Sequence, residues 1–400
     1  MRYLLLLLVL LGTAINAKPR QIDPYRWEDV ERIVVIGDLH GDYDSYQAVL
    51  RAAGVIDHRG RWIGGDAHLV QTGDIPDRGP GTRRIIGDMR KLAREAEKRG
   101  GRVHNLMGNH EAMNVQGDLR YVTPEEFGAF AGKRSAALRD RYFAASMTDL
   151  ERDDPTRHAA LPADYRAQWN REHPLGWVEH RMAWDPRWDA DGDLFRWTMQ
   201  TKVAIQLNDL IFMHGGIGST YCGNTLASLS KMARLALRGD PNASSIVDDQ
   251  AGPLWYRGLA GVAPAARSET VDAILAKHGA RHLVIGHTTT GGLIWPRLAA
   301  RVILIDAGMS AVYGRHLAWL EVTREGLFAG YPGGRLPLPR DDAARSDYLD
   351  AVIALHPDNA ELRQRRDLLR AGQGDTASIE PSDNSKPLLE PAGTTCGISR

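Results

Sequence analysis

Ile33-Val34-Val35-Ile36-Gly37-Asp38-Leu39-His40-Gly41-Asp42 joins a run of four β-branched residues to a turn of glycine, aspartate and histidine. A run of that length and chemistry reads as a buried strand, and the turn that follows carries side chains able to ligate a metal. The pattern recurs along the chain. Residues 68–71 run into Gly73-Asp74-Ile75-Pro76-Asp77-Arg78-Gly79, and 103–107 into Gly108-Asn109-His110-Glu111. Residues 210–213 run into His214-Gly215-Gly216, and 282–285 into Gly286-His287-Thr288. A sixth apolar run covers 302–305. The intervening stretches 45–53, 83–99, 226–237 and 269–278 have the apolar spacing of helices that lie on a sheet. The expected fold class is α/β, in α+β layers.

In layered folds, ligands gather at the carboxyl ends of strands, and glycines there let the backbone turn tightly. If these strand ends lie side by side, Asp38, His40, Asp74, Asn109, His214 and His287 converge on one point. Carboxylate, imidazole and amide oxygen together suit manganese, iron or zinc better than a thiolate or an all-oxygen calcium site. A pair of ions roughly 3.5–4 Å apart, clamping phosphate oxygens, fits such a set. Taken one at a time, Asp38 could cap a helix, His214 could sit hydrogen-bonded in a core, and Asn109 could hold a turn. Five Gly-flanked blocks at five strand ends decide for a site. Of the 14 histidines, only His40, His110, His214 and His287 stand in such blocks.

The blocks resemble the phosphoprotein phosphatases of the calcineurin-like metallophosphoesterase superfamily, which read GDxHG, GDxVDRG, GNHE, HGG and a later lone histidine. The resemblance spans residues 30–310 and implies a four-layer αββα sandwich. It implies that Asp38 and His40 hold a first metal, that Asp74 bridges, and that Asn109, His214 and His287 hold the second. It further implies that His110 is the general acid, oriented by Asp77, and that Arg78, Arg257 and Asn109 contact the phosphate. The reaction is then direct attack of a metal-bound hydroxide, with no phosphoenzyme. Glu111 fits the family motif without a catalytic role. Thr289 stands where many metallophosphoesterases have a second histidine, and Asp77 is usually absent from diadenosine tetraphosphate hydrolases. Pro76, Met107 and the sequence Asp306-Ala307-Gly308-Met309 depart from the eukaryotic enzymes and resemble the Shewanella-like protein phosphatases.

The expected activity is hydrolysis of phosphate monoesters on phosphotyrosine or phosphoserine/threonine proteins, or on small phosphomonoesters. The alternatives are a nucleotide phosphoesterase of the diadenosine tetraphosphate hydrolase kind, and a binding protein whose metal site is structural. Lysine plus arginine number 50 and aspartate plus glutamate 50, so no overall field draws in nucleic acid, and no nucleic-acid partner is expected.

Met1-Arg2, a leucine-rich run and Ala14-Ile15-Asn16-Ala17 have the order of a signal peptide at 1–17. Export, to the periplasm or medium of a bacterium, is therefore expected, without stable membrane insertion after cleavage. The catalytic domain is expected at 18–335, with a helical, Trp-rich insertion at 117–200. A C-terminal helical extension follows at 336–371 and a disordered tail at 372–400. Trp169, Trp177, Trp184, Trp188 and Trp197 are expected to build the insertion's own core rather than wall a groove. Cys222 and Cys396 read as isolated thiols, with a bridge as the alternative.

Overall fold

The computed structural model describes residues 19–243, 245–261, 267–372 and 396. The expected signal peptide lies outside the described residues. So does the expected tail, apart from Gly372 and Cys396.

Two sheets form the centre. One has six strands in the order β13 (Gly334–Pro337), β12 (Gly326–Tyr331), β11 (Trp319–Thr323), β3 (Ile33–Ile36), β4 (His68–Gln71) and β5 (Arg102–Asn105). The other has seven: β1 (Arg20–Asp23), β2 (Arg26–Glu28), β6 (Ala204–Leu207), β7 (Leu210–Met213), β8 (His282–Ile285), β10 (Val302–Leu304) and β9 (Trp295–Arg297). Strands β3, β4 and β5 are parallel, in a register that pairs Ile36 with Gln71 and Gln71 with Asn105. Strands β7, β8 and β10 are also parallel, pairing Met213 with Ile285 and Ile285 with Leu304. Each sheet therefore ends three parallel strands at one level. Because parallel strands are covered on both faces, they carry the continuous Val/Ile/Leu runs seen in the sequence.

Helices α1 (Tyr43–Ala52), α2 (Thr82–Glu97) and α3 (Asn109–Gln116) leave the three strand ends of the six-stranded sheet. The Asp42 carboxylate caps α1 by accepting from the Ser45 amide at 3.0 Å, and the helix buries Tyr46, Val49 and Leu50. Helix α2 buries Ile85, Ile86, Met89, Leu92 and Ala96 along one stripe. Helices α10 (Leu226–Leu237) and α11 (Ser268–His278) follow the other sheet.

Between α3 and β6 come α4 (Pro124–Phe130), α5 (Ser135–Asp153), α6 (Pro155–Ala159), α7 (Tyr165–Glu172), α8 (Trp177–Trp184) and α9 (Asp193–Gln200). Their aromatics pack on one another. Trp169 stacks on His173 at 4.1 Å between centroids, Tyr142 meets Trp188 at 4.6 Å, and Trp184 is fully buried. None of the five tryptophans lines the cleft beside His40.

At the C-terminal side, α12 (Arg345–Leu355) and α13 (Ala360–Arg370) lie against the sheets rather than standing free. The Tyr348 hydroxyl donates to the Ile294 carbonyl at 2.8 Å, and Arg365 donates to the Thr290 carbonyl at 2.8 Å. No helix among the described residues is long and apolar enough to cross a membrane.

Three expectations need correction. The run 103–107 forms a strand only as far as Asn105. Leu106 instead bridges to Lys202, and the Met107 amide donates to the Lys202 carbonyl at 2.9 Å. Strands β1, β2, β6, β9, β11, β12 and β13 have no counterpart in the sequence reading, being short or interrupted by polar residues, glycine and proline. The cysteines are not isolated: Cys222 and Cys396 form a disulfide across a separation of 174 residues, with Cα atoms 5.8 Å apart.

Candidate metal and phosphate site

The six strand ends deliver Asp38, Asp74, Asn109, His214, His287 and Asp306 to one buried place, each no more than 6% exposed. His40 joins them from the turn after β3 and His110 from the first turn of α3. The turns are locked together by backbone bonds: the Leu39 and His40 amides both donate to the Asp74 carbonyl at 3.0 Å. Glu111 is fully buried and accepts from the amides of Gly108, Asp74 and Ile75 at 2.8, 3.0 and 2.9 Å. Its carboxylate therefore braces two turns. Burial and the nearby Asp74 push its pKa up to about 7.

Backbone strain concentrates here. His40, Asp74, Asp77, Arg78 and His287 all have φ between 44° and 72°, the left-handed region that side chains disfavour by about 1 kcal/mol or more each. The strain turns these side chains inward from the strand ends. Gly108 permits a close approach, since a Cβ there would overlap the Asp74 carboxylate.

Hydrogen bonds fix which ring nitrogens face the centre. His214 Nδ1 lies 3.0 Å from the Thr72 carbonyl, His287 Nε2 3.2 Å from the Trp255 carbonyl, and His40 Nδ1 3.3 Å from the Pro76 carbonyl. A carbonyl only accepts, so each of these nitrogens donates, and it is the opposite nitrogen of each ring that faces the centre. His214 Nε2 then lies 3.0 Å from His287 Nδ1, 2.9 Å from Asn109 Oδ1 and 3.3 Å from the Asp74 carboxylate. Gathered this closely, these nitrogens and oxygens have lone pairs to offer a cation when the rings are neutral. That donor set is what a divalent ion requires. Two triads of close donor atoms share Asp74: His40, Asp74 and His110, and Asp74, His214 and His287. Asp38 stands beside them, accepting from the His287 amide at 3.2 Å.

His110 differs from its neighbours. Its Nδ1 meets a carboxylate rather than a carbonyl, Asp77 Oδ2 at 2.5 Å, and Asn114 holds the other Asp77 oxygen at 2.8 Å. Burial pulls the imidazole's pKa down, but Asp74 and Asp77 outweigh it and hold His110 above the ordinary histidine value. His40 and His287 go the other way. Burial lowers both well below that value, helped by His110 for the first and by Arg257 for the second. One site thus holds neutral, lone-pair histidines next to one that keeps its proton.

Arg78 is partly buried, with its guanidinium 4.5 Å from the Tyr121 ring centroid and 5.2 Å from that of Tyr313. Its Nε is buried without a hydrogen-bond partner among the described residues, as a group awaiting an oxyanion would be. Arg257 is engaged by protein instead, donating to the His287 carbonyl at 2.7 Å and Thr288 Oγ1 at 3.1 Å.

Comparison with known proteins agrees with this geometry. The profile of the calcineurin-like phosphoesterases matches residues 31–290. The chain belongs to that family. It is accordingly a metal-dependent phosphatase. Among relatives of this phosphoesterase, Shewanella-like protein phosphatase 2 of Arabidopsis thaliana is 28% identical, over 71% of this chain and 73% of its own. Shewanella-like protein phosphatase 1 of Plasmodium berghei is also 28% identical, over 72% and 69%. The solved cold-active protein-tyrosine phosphatase of a psychrophilic Shewanella superposes with a TM-score of 0.58, at 26% identity over 80% and 83% of the two chains.

The sequence reading passed over five residues that the phosphoesterase places at or around the site. Asp306, at the end of the sixth apolar run, lies 1% exposed beside Asp38, and burial lifts its pKa to about 6. The strand before it was the available signal. Tyr121, Glu126 and Asn114 brace the Asp77-Arg78 turn: the Tyr121 carbonyl accepts from the Arg78 amide at 3.0 Å, and Glu126 accepts from Thr82 Oγ1 at 2.5 Å. Tyr313 completes the wall over Arg78. Asp306 and Tyr313 lie outside the matched family segment, and no local pattern marks the other three.

Proposed function

We propose that the protein is an exported phosphatase that removes phosphate from phosphoproteins. The observation that carries the reading is the Asp77–His110 pair at 2.5 Å beside the open Nε of Arg78. It supplies a protonated acid for a poor leaving group, such as a side-chain alkoxide or phenoxide. The named activities of the relatives support a phosphoprotein substrate, and the Cys222–Cys396 disulfide supports an oxidising compartment.

In this reading Asp38, His40 and Asp74 hold one metal ion, manganese, iron or zinc, and Asp74, Asn109, His214 and His287 hold the other. When bound, the pair supplies Lewis-acid charge and an activated water. Arg78 grips phosphate oxygens through the face of its fork that the protein leaves open, kept in line by the two tyrosine rings. Asn109 faces the same oxygens. Arg257 orients His287 through its carbonyl and adds positive charge from behind. His110 donates its proton to the departing oxygen, and Asp77 keeps that proton in place until it is needed.

With manganese added, the mature chain is expected to hydrolyse a phosphotyrosine or phosphothreonine peptide at least tenfold faster, by kcat/KM, than diadenosine tetraphosphate. Turnover of the dinucleotide alone would move the assignment to nucleotide hydrolysis. Chain recovered from outside the cytoplasm is expected to begin at Lys18 by mass spectrometry. A chain retained in the cytoplasm with Met1 intact would overturn the export part.

A further inference from the structure

A cleft of about 530 Å³ opens from the catalytic centre at His40 and Arg78 and runs along the start of α2. That volume is in the range of clefts that take a whole ligand rather than one phosphoryl group. Four guanidinium groups line it, those of Arg78, Arg83, Arg84 and Arg315, against two carboxylates, Asp42 and Asp44. Asp42 is neutralised: Arg315 Nε donates to it at 3.0 Å, as does the Ala311 amide at 2.9 Å. The cleft is therefore basic although the whole chain carries no net charge.

Arg83 and Arg84 are not held by an acidic partner among the described residues. Both are exposed, and neither makes an ion pair with a carboxylate of the described residues. Asp88, one turn along from Arg84, is taken by the Tyr43 hydroxyl at 2.6 Å and by Gln47 at 3.2 Å. Each guanidinium lies over a ring instead, Arg83 at 4.9 Å from the Phe130 centroid and Arg84 at 3.5 Å from that of Tyr43. Stacking fixes the plane of the fork while leaving N–H donors at its edge to meet an anion. The two arginines also sit in the first turn of α2, which carries no acidic residue. That is the positive end of the helix, where cations cost stability and carboxylates add it. Two adjacent cations in that position, preorganised and lining a cleft that begins at the reacting centre, are arranged for an anion supplied from outside.

We propose that Arg83 and Arg84 form a specificity subsite for an anionic group carried next to the phosphoresidue, either a carboxylate side chain or a second phosphoryl group. This rests on the phosphoprotein reading given above. Arg78, Arg83 and Arg84 line one cleft, along which an extended substrate advances roughly 3.3–3.6 Å per residue, so an anionic residue a few positions from the phosphoresidue is the partner this pair selects. Arg315, held by Asp42, lines the same cleft.

The test uses the mature full-length chain with manganese and matched phosphopeptides flanked by Glu, by Lys or by a second phosphoresidue, with p-nitrophenyl phosphate as a measure of the intact centre. In the native enzyme the ratio of kcat/KM for the Glu-flanked over the Lys-flanked peptide is expected to be roughly tenfold, the size of two partly exposed ion pairs. In the double variant Arg83→Glu/Arg84→Glu, whose folding is checked by thermal unfolding, that ratio is expected to fall to one or invert. A gain confined to the doubly phosphorylated peptide, lost in the same variant, supports the subsite with phosphate as its ligand. Equal ratios in both enzymes, or native turnover indifferent to flanking charge, overturns the subsite while leaving the phosphoprotein reading standing. Turnover of p-nitrophenyl phosphate with none of any peptide overturns that reading and the subsite with it.

Discussion

Asp74→Asn is expected to lower kcat on every phosphomonoester by a factor on the order of 10³ or more and to reduce the metal content of the purified chain. Asp74 is the residue common to both triads of donor atoms, and its carboxylate faces His40, His110 and His214 at 3.9, 3.7 and 3.3 Å. Burial raises its pKa, yet His214 and His110 outweigh that and hold it well below the usual carboxylate value, so it presents a full negative charge. The amide is nearly isosteric and can still accept from the His110 backbone at the 3.0 Å position, so the fold is retained. What is lost is the charge that holds two cations close together, worth several kcal/mol in the transition state. Elemental analysis alongside steady-state kinetics decides the matter. Metal content near the native level with activity above a tenth of native would remove Asp74 from the bridging role.

His110→Ala is expected to separate substrates by leaving group. A side-chain or alkyl phosphate needs its departing oxygen protonated, and loss of a positioned acid costs about 10²–10⁴-fold. The p-nitrophenolate ion leaves without a proton, so its release is expected to fall far less. An equal loss on both substrates would mean that His110 supports the structure or binds metal, not that it delivers a proton. Asp77→Asn provides a second readout. The protonated imidazole is the active form, and Asp77 helps hold its pKa above the ordinary value. Removing that charge lowers the pKa, so the acid is lost at a lower pH and the alkaline limb of the rate profile moves down. A limb that stays in place would show that another group sets it.

The insertion between α3 and β6 bears on both experiments, because its first residues build the back of the acid's own turn. Tyr121 and Glu126 hold the segment that carries Asp77 and Arg78, which has positive φ at both positions. A strained turn keeps its shape only when neighbours over-determine it. The tryptophans further along pack on one another and stay out of the cleft, which is lined by arginines instead.

Much of this protein was legible in the sequence because it depends on local rules. A run such as Ile33–Ile36 ending in Gly-Asp is a strand and a ligand-bearing turn wherever it occurs, since β-branched residues favour the pleat and glycine permits the turn. Six runs announced six strands, and five of them announced Asp38, Asp74, Asn109, His214 and His287. What the sequence alone could not decide is which strand lies beside which. That each sheet ends three parallel strands together follows from pairing between residues as distant as Met213 and Ile285, and the two sets of ends meet through contacts such as that of His214 with the Thr72 carbonyl. The antiparallel strands β11 to β13 were invisible for the same reason, as their stability comes from neighbours and not from their own composition. Only the tertiary structure joined Cys222 to Cys396, placed Asp306 against Asp38, and set Arg83 and Arg84 along a cleft that starts at Arg78. Charge, burial and tautomer are properties of surroundings, and surroundings exist only once the chain has folded.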